Sequence, residues 1–573
     1  MALLALCGPV RADEVSVTLE GIEGELADNA RAFLTIDDKP TRERDEARVR
    51  RLHRLASGEI RQALQPFGYY QPEIEAELTR EDDQWRARYQ VDPGPATRVT
   101  SLELDAVGEG ADLPAVQEVL ADSVLGTGKQ LDHRHYEATK SALLSAAYDA
   151  GYLDAGYRTA AIRVQPEQAE AEIELVLETG PRYYFGPIEI EQDILDPAFA
   201  QRYVPFESGT PFNAERLIDL QLALGDTDYF DQVQIEARRD ELLNEPGVDP
   251  APQVPVRVST EPRKPRRYTA SVGYGTDTGA RLGLGAEFRR LNRRGHQFRT
   301  DLRLSEIKQS LSARYDIPID NVLEDRLSFG ATATQEEIGD VRTDQFRLSA
   351  SREDGWAKGR RRLYLNLERE SFDLGNGRRS SDLLYPGATL SLKQADDLLR
   401  PRQGISLSLD VHGGTEALVS ATDFIQGHLT AALVVPIGDR ARLLTRGELA
   451  GTQTSDFDAL PPSQRFYAGG DRSVRGYGYQ EIGPKNAAGE NTGGQYLAIA
   501  SIEAEYLFYK QFGAAVFFDA GDASPTTGFD LKRGVGVGFR WLSPIGTLRI
   551  DFAHPLDDPD SDFSFHFSLG PDL

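Results

Sequence analysis

Three scarcities in the 573-residue sequence each exclude a class of protein. Cys7 is the only cysteine, so neither a disulfide framework nor a thiolate metal site is expected. No apolar run approaches the roughly 18 residues that a membrane-spanning helix needs, which excludes a helical membrane protein. Basic residues are fewer than acidic ones, with 64 Lys and Arg against 91 Asp and Glu, so the net charge is -27. A nucleic-acid partner is therefore not expected, because phosphates require a basic surface.

The start of the chain resembles the end of a secretory signal peptide. Apolar residues lead to small residues just before Asp13, as they do ahead of a cleavage site. No basic segment precedes them, so we expect either a start further upstream or a trimmed signal. Leu6 stands where a lipoprotein signal carries a small residue, so lipidation of Cys7 is not expected. We predict a signal peptide over residues 1–12.

The first half of the chain repeats itself with a period of about eighty residues. Each copy carries an amphipathic helical pattern that ends in an aromatic turn, at 66–70, 149–153 and 226–230. Two strand-like runs follow each turn. This order predicts three small α+β domains, each made of a strand, two helices and two strands, with bounds at 13–95, 96–182 and 183–265.

From residue 266 onward, apolar residues recur at every second position, which is typical of strands with one face in lipid. About 18 to 20 residues per strand and turn give roughly sixteen strands. In the final segment, 563–569, four apolar side chains alternate with Ser564, His566 and Ser568. We predict a transmembrane antiparallel β-barrel over 266–573, since a soluble β-sandwich explains neither the scarce cysteine nor this last strand.

Two motifs near the C-terminal end suggest a loop that folds into the barrel. The first consists of Val474, Arg475, Gly476 and Tyr477 in a glycine-rich segment. Asp519 follows some forty residues later on a predicted strand, between Phe518 and Gly521. A guanidinium inside a barrel is costly to desolvate unless a carboxylate binds it. Asp519 can supply that carboxylate.

The repeats resemble polypeptide-transport-associated (POTRA) domains, and with the two motifs in this order the chain resembles the Omp85 superfamily. The resemblance implies that Asp519 and Glu503 hold Arg475 inside the barrel. It also implies that Phe518 and Gly521 belong to the receiving wall, with Gly476 allowing a tight turn and Tyr477 packing against that wall. Three POTRA units and the segments 19–31 and 396–404 are similar to the TamA branch, the outer-membrane subunits of the translocation and assembly module.

The resemblance further implies a Gram-negative outer-membrane location, with the POTRA domains in the periplasm. It implies that the protein inserts autotransporters and related outer-membrane proteins through a lateral seam between the first and last strands. The implied partners are outer-membrane lipids and a TamB-like protein anchored in the inner membrane. The expected seam residues are Tyr268, Gly273, Gly275, Phe563, Phe565, Phe567 and Leu569.

Other classes of function are weighed against this hypothesis. A two-partner secretion pore and an envelope-spanning lipid transport component stay open as alternatives. No Gly-x-Ser-x-Gly nucleophile motif occurs in the sequence, so a serine hydrolase has no support. The Asp132 to His135 segment begins a predicted helix and is expected to be a solvated cap and not a metal site. We expect no catalytic residue, metal or cofactor.

Overall fold

The structure is a computed structural model. It describes residues 15–37, 46–81, 84–241, 252–275, 279–338, 341–356, 358–374, 377–397, 400–487, 489–543, 546–558 and 563–570. The predicted signal peptide, 1–12, lies outside these described residues. Within them, every helix is too short or too polar to cross a membrane.

The first half contains three copies of one arrangement. The first copy comprises β1 (Val15–Glu20), α1 (Gly24–Phe33), α2 (Glu46–Leu64), β2 (Glu73–Glu81) and β3 (Gln84–Asp92). The second comprises β4 (Arg98–Val107), α3 (Pro114–Asp122), α4 (His133–Asp149), β5 (Gly156–Gln165) and β6 (Glu170–Glu178). The third comprises β7 (Tyr184–Glu191), α5 (Pro197–Ala200), α6 (Ala214–Gly225), β8 (Phe230–Ala237) and β9 (Gln253–Pro262). The prediction of three α+β domains is confirmed.

Each repeat has a three-stranded sheet in which the last strand lies in the middle, in the orders β1-β3-β2, β4-β6-β5 and β7-β9-β8. The first strand of each repeat pairs in parallel with that central strand. In the first repeat, β3 buries every second residue, from Trp85 to Val91, against the apolar stripe of α2. Asp132 caps α4 by accepting a hydrogen bond from the Arg134 N–H, as expected for a helix start.

The aromatic turn of one repeat is joined to the start of the next by a backbone hydrogen bond. The Thr97 N–H donates to the Gly68 carbonyl at 2.9 Å, and the Tyr183 N–H donates to the Gly151 carbonyl at 2.7 Å. Gly68 and Gly151 occupy the same place in their turns. Successive repeats are therefore connected by the same joint, used twice.

The second half forms a sixteen-stranded sheet in which consecutive strands are neighbours. Its strands are β10 (Arg266–Gly275), β11 (Gly279–Phe288), β12 (Gln297–Ser305), β13 (Lys308–Pro318), β14 (Arg326–Ile338), β15 (Val341–Trp356), β16 (Gly359–Phe372), β17 (Arg379–Ala395), β18 (Gly404–Gly414), β19 (Phe424–Ile437), β20 (Ala441–Thr454), β21 (Tyr496–Tyr509), β22 (Phe512–Ser524), β23 (Lys532–Ser543), β24 (Gly546–Pro555) and β25 (Ser564–Gly570). The prediction of about sixteen antiparallel strands is confirmed.

Side chains on the sheet alternate between an exposed apolar face and a buried polar face. In β16, for example, Leu363, Leu365 and Leu367 are exposed, whereas Asn366 and Glu368 are buried. An apolar exterior around a polar interior is the arrangement that lipid favours. The sixteen strands form one compact unit together with Gln192–Val204 and Leu222–Val233 of the third repeat.

Candidate functional site

The loop between β20 and β21, residues 455–495, folds into the interior of the sheet. Its beginning is tied to β16 through Glu368, which is 1% exposed. Ser463 of the loop donates to Glu368 Oε1 at 2.9 Å, and Arg347 and Tyr385 donate to Glu368 Oε2 at 2.8 and 2.9 Å. This carboxylate is a first anchor for the loop, and the sequence analysis did not identify it.

The second anchor of the loop is the pair formed by Arg475 and Asp519. Arg475 Nε donates to Asp519 Oδ2 at 2.7 Å and Nη2 donates to Asp519 Oδ1 at 3.0 Å, so the guanidinium and carboxylate meet as a two-pronged fork. The backbone N–H of Arg475 also donates to Asp519 Oδ2 at 3.1 Å. Arg475 is 2% exposed and Asp519 is 0% exposed.

The remaining nitrogen of Arg475 is bound by two further carboxylates. Its Nη1 donates to Glu503 Oε2 at 2.7 Å and to Asp551 Oδ2 at 3.1 Å. Glu503 lies on β21 and Asp551 on β24, so the loop is attached to strands on both sides of β22. The implied contacts of Arg475 with Asp519 and Glu503 are thus both present, and Asp551 adds a contact that the sequence analysis missed.

A second buried arginine, Arg540 on β23, shares two of these carboxylates, Glu503 and Asp551, with Arg475. Its Nη2 donates to Glu503 Oε1 at 2.6 Å and its Nε donates to Glu505 Oε1 at 3.0 Å. Arg540 Nη1 donates to Asp551, the residue that also accepts from Arg475. The resulting network alternates cations and anions, so each buried charge is partnered. Such an arrangement holds the loop in place.

The aromatic residue that contacts Arg475 is Phe517, the neighbour of Phe518, which the resemblance places in the receiving wall. The Arg475 guanidinium carbon lies 3.4 Å from the centre of the Phe517 ring, a cation–π geometry. Phe518 is on the opposite face of β22 and is 40% exposed. Side chains alternate along a strand, so an inward Asp519 requires an inward Phe517.

Glycines in the wall provide the space that the loop occupies. A Cβ on Gly534 of β23 would lie 1.9 Å from the Arg475 carbonyl oxygen, and one on Gly521 would lie 2.9 Å from Val474 Cγ2. Gly476 has a φ of +104°, which favours glycine, and a Cβ there would lie 3.0 Å from the Pro555 nitrogen. The loop backbone therefore approaches the wall at positions where other residues would prevent contact.

The last strand holds the loop as well. The Gly476 N–H donates to His566 Nε2 at 3.0 Å, and Ser564 Oγ donates to the Gly476 carbonyl at 2.9 Å. Because His566 Nε2 accepts a hydrogen bond, the imidazole proton of a neutral ring lies on Nδ1, which faces Asp471 Oδ1 at 2.6 Å. The sequence alone indicates no partner for His566, and in the structure its partners are Gly476 and Asp471 of the loop.

The apolar residues of the loop motif complete the attachment. Val474 is fully buried and Tyr477 is 8% exposed. Both belong to a cluster that extends to Leu497 and Ile499 on β21. On the opposite side, a cavity of about 820 Å³ separates the loop from β13, β14 and β15. The loop thus packs against the C-terminal strands of the sheet, and a cavity lies between the loop and the N-terminal strands β13, β14 and β15.

The expected seam residues lie on or beside the two end strands of the sheet. Tyr268, Gly273 and Gly275 are in β10, which pairs with β11. Phe565, Phe567 and Leu569 are in β25, which pairs with β24, whereas Phe563 precedes the strand.

Among the described residues, no ladder of hydrogen bonds joins β10 to β25, although some of their Cα atoms lie within 8 Å. The described residues also hold no group of three or more His, Cys, Asp and Glu arranged to bind a metal.

Two models of known families match the chain. The Omp85 superfamily domain matches residues 261–572, and the POTRA domain named TamA domain 1 matches residues 16–93.

Two individual proteins are also similar to the chain, one over a short segment and the other at low sequence identity. The chain is 37% identical over 123 residues to the outer membrane protein assembly factor BamA of Nitratidesulfovibrio vulgaris, a match covering 19% of this chain and 16% of that protein. The crystal structure of BamA from Haemophilus ducreyi lacking POTRA domains 1–3 is similar in fold, with a TM-score of 0.69 and 16% identity over 83% of this chain and 99% of that one.

Proposed function

The chain belongs to the Omp85 superfamily, and on this premise we propose that it is an assembly factor that inserts autotransporters and related proteins into the outer membrane. It is an outer-membrane protein of a Gram-negative bacterium, with its POTRA domains in the periplasm. We assign POTRA domains to 13–95, 96–182 and 183–265 and the barrel to 266–573. The name of the BamA relative, an assembly factor, supports an assembly role.

The observation that carries the proposal is the missing ladder between β10 and β25. Among the described residues these are the two ends of a sheet whose other strands all pair on both sides. An unpaired strand edge in lipid leaves backbone groups without hydrogen bonds, each at a cost of several kcal/mol. A substrate strand that adds to the edge would satisfy those groups by β-augmentation. The seam is therefore a place where the membrane itself favours pairing with an incoming chain.

The periplasmic repeats provide further strand edges for partners. In each repeat sheet the central strand pairs on both sides and the two outer strands present an edge. We propose that a TamB-like protein anchored in the inner membrane docks on these repeats. The match of residues 16–93 to a TamA-type POTRA domain supports this choice of partner. Outer-membrane lipids are the second expected partner, because the exposed apolar face of the sheet must lie in a bilayer.

The test is a reversible lock across the seam. Ser271→Cys or Gly273→Cys in β10 is combined with Ser568→Cys in β25, in a chain carrying Cys7→Ser. Disulfide formation is followed on gels, and insertion of an autotransporter barrel into liposomes carrying the protein is measured before and after reduction. A matched lock joins Ser312→Cys and Thr332→Cys, which are directly paired on β13 and β14.

Insertion that is lost on oxidation of the seam pair, regained on reduction and unaffected by the matched lock supports the proposal. Insertion that continues with the seam closed excludes the lateral route. Ion conductance without insertion favours the two-partner secretion pore instead. Transfer of lipid without insertion of protein favours the envelope-spanning lipid transport role.

A further inference from the structure

Four aromatic residues form a continuous row on the outer face of the sheet. Direct pairing in the ladders joins Phe288 to Phe298, Phe298 to Tyr315, and Tyr315 to Phe329, on the consecutive strands β11 to β14. Leu284, on the same face of β11 as Phe288, is 46% exposed. Rows of aromatic side chains at the ends of barrel strands mark the boundary between lipid and water.

This row marks the periplasmic boundary. The turn that follows Phe288 contacts the segments of the third repeat that belong to the barrel unit. The Asp196 N–H donates to the Arg293 carbonyl at 2.7 Å, and the Tyr229 hydroxyl donates to the Gly295 carbonyl at 2.6 Å. Since the repeats are periplasmic, this turn lies at the headgroup level of the inner leaflet.

Basic residues collect just beyond the aromatic row. From 262 to 294 the sequence has nine Lys and Arg against two Asp and Glu, in a chain whose net charge is -27. Five of them form what we call the rim cluster: Lys264, Arg266, Arg290, Arg293 and Arg294.

The rim cluster differs from the other arginines nearby in its lack of ion pairs. Within the described residues, none of its five members forms one. Their neighbours Arg263 and Arg289 differ, because both lie near Asp228, at 3.5 and 3.6 Å. Arg266 lies 5.7 Å from the centre of the Phe288 ring, on the outer face. The Nη1 atom of Arg290 is buried and makes no hydrogen bond to the described part of the chain.

We propose that the rim cluster binds the phosphate groups of anionic phospholipids in the periplasmic leaflet. The cluster lies along the membrane boundary and beside an aromatic row, so a lipid can place its chains on the apolar face while its phosphate meets the arginines. A freely dissolved anion gains nothing from the aromatic row. One member of the cluster, Arg266, is the first residue of β10, so anionic lipid would gather next to the seam.

This inference requires the outer-membrane location and not the assembly activity. It can therefore be tested on the full chain without a substrate protein. Delipidated protein in detergent is mixed with phosphatidylglycerol or phosphatidylethanolamine at equal concentration, and retained lipid is counted by native mass spectrometry. Basic residues near an anionic surface each contribute about fivefold in affinity, so a clear preference for phosphatidylglycerol is expected.

The test variant carries Arg266→Gln, Arg290→Gln and Arg294→Gln. A matched control carries Arg352→Gln, Arg360→Gln and Arg361→Gln near the β15–β16 turn on the same rim, where the arginines are paired with Asp320, Glu353 and Asp354. The test variant should lose the preference for phosphatidylglycerol, whereas the control should keep it. Lysine at the three test positions should restore it.

Three results would overturn the inference: equal retention of both lipids by the unchanged protein, an undiminished preference in the test variant, or displacement of the lipid by inorganic phosphate. If the triple variant does not fold, Arg294→Gln alone serves, because this side chain is exposed. It should weaken retention about fivefold. Unchanged retention in that single variant would likewise contradict the inference.

Discussion

The two strands that border the seam differ in how firmly the protein holds them. β25 pairs with β24, and its inward Ser564 and His566 hold the loop at Gly476. β10 pairs with β11, and its described residues from Arg266 to Tyr274 are exposed on both faces. In the described part of the chain, no side chain of β10 hydrogen-bonds to the loop.

This difference determines what a displacement of each end strand would disturb. Displacing β25 would disturb the loop, whose Arg475 is bound by three carboxylates in a buried network. Displacing β10 would disturb no such network. The seam is therefore asymmetric, with β25 held by the loop and, among the described residues, β10 held only by β11, and under the proposed function β10 is the edge that would admit a substrate strand.

The largest effect is expected from removal of the loop anchor, Arg475. Arg475→Ala leaves Asp519, Glu503 and Asp551 without their shared cation, so we expect a loss of about 3–5 kcal/mol in the free energy of unfolding. Assembly activity should fall with it. The measurement is unfolding of the barrel in urea, in which the folded fraction is determined from its mobility on gels.

A matched control for that variant exists in the same barrel. Arg369 and Asp382 form the same two-pronged fork, at 2.6 and 2.7 Å, but Arg369 is 69% exposed. Arg369→Ala should change the free energy of unfolding much less, because neither Arg369 nor Asp382 is buried inside the sheet. Equal effects of the two alanine variants would show that burial of Arg475 is not what fixes the loop.

Asp519→Asn should weaken the attachment of the loop less than Arg475→Ala does. Exchanging the charges of Arg475 and Asp519 should partly restore the attachment.

The second largest effect is expected from Gly534→Ala. The added Cβ would meet the Arg475 carbonyl oxygen at 1.9 Å and must displace the loop, at about 1–3 kcal/mol. Limited proteolysis of the loop is the readout, because a displaced loop is cleaved faster. Gly427→Ala on β19 is the control, since a Cβ there meets nothing within 4 Å. A loop that stays equally resistant in both variants would contradict the close contact.

A smaller change tests the two edges against each other. His566→Ala on β25 removes the acceptor for the Gly476 N–H and should reduce stability by about 1 kcal/mol. Ser271→Ala, at an exposed inward position of β10, should have no measurable effect. Both are measured by urea unfolding. If the two variants behave alike, the last strand does not hold the loop, and the seam is not asymmetric.

The smallest expected effect concerns the mobile edge itself. Gly273 of β10 has nothing within 4 Å of an added Cβ, so alanine fits without strain. Gly273→Ala should stabilise the strand by about 0.5 kcal/mol, because glycine loses more chain entropy on folding. Insertion of a substrate should then become slower at unchanged loop resistance to protease. Faster insertion would contradict the expectation that the flexibility of β10 limits the rate of substrate insertion.

The sequence predicts the architecture better than the details of the site. Alternation of apolar residues over 266–573 is a property of each strand, so it was sufficient for the sixteen strands. The charges of Arg475 and Asp519 were sufficient to predict their pairing, and the resemblance added Glu503. Arg540 and Asp551 were missed because their partners lie across the interior and far along the chain, where no local pattern records them.

Strand geometry held some of the missing information. Once Asp519 is placed inward, alternation also places Phe517 inward and Phe518 outward. The spacing of Gly534, Gly536 and Gly538 on β23 likewise indicates an inward stripe without side chains, next to which a loop can lie. Which loop fills that space depends on contacts between distant segments, and a single sequence does not reveal them.

The joints between the repeats have a mechanical consequence. At Gly68 and at Gly151, the backbone of one repeat is hydrogen-bonded directly to the first residues of the next. Bending at either joint would break this hydrogen bond, at a net cost of about 0.5–1.5 kcal/mol. A force applied to one repeat therefore acts on the backbone of its neighbour through this bond as well as through the covalent chain.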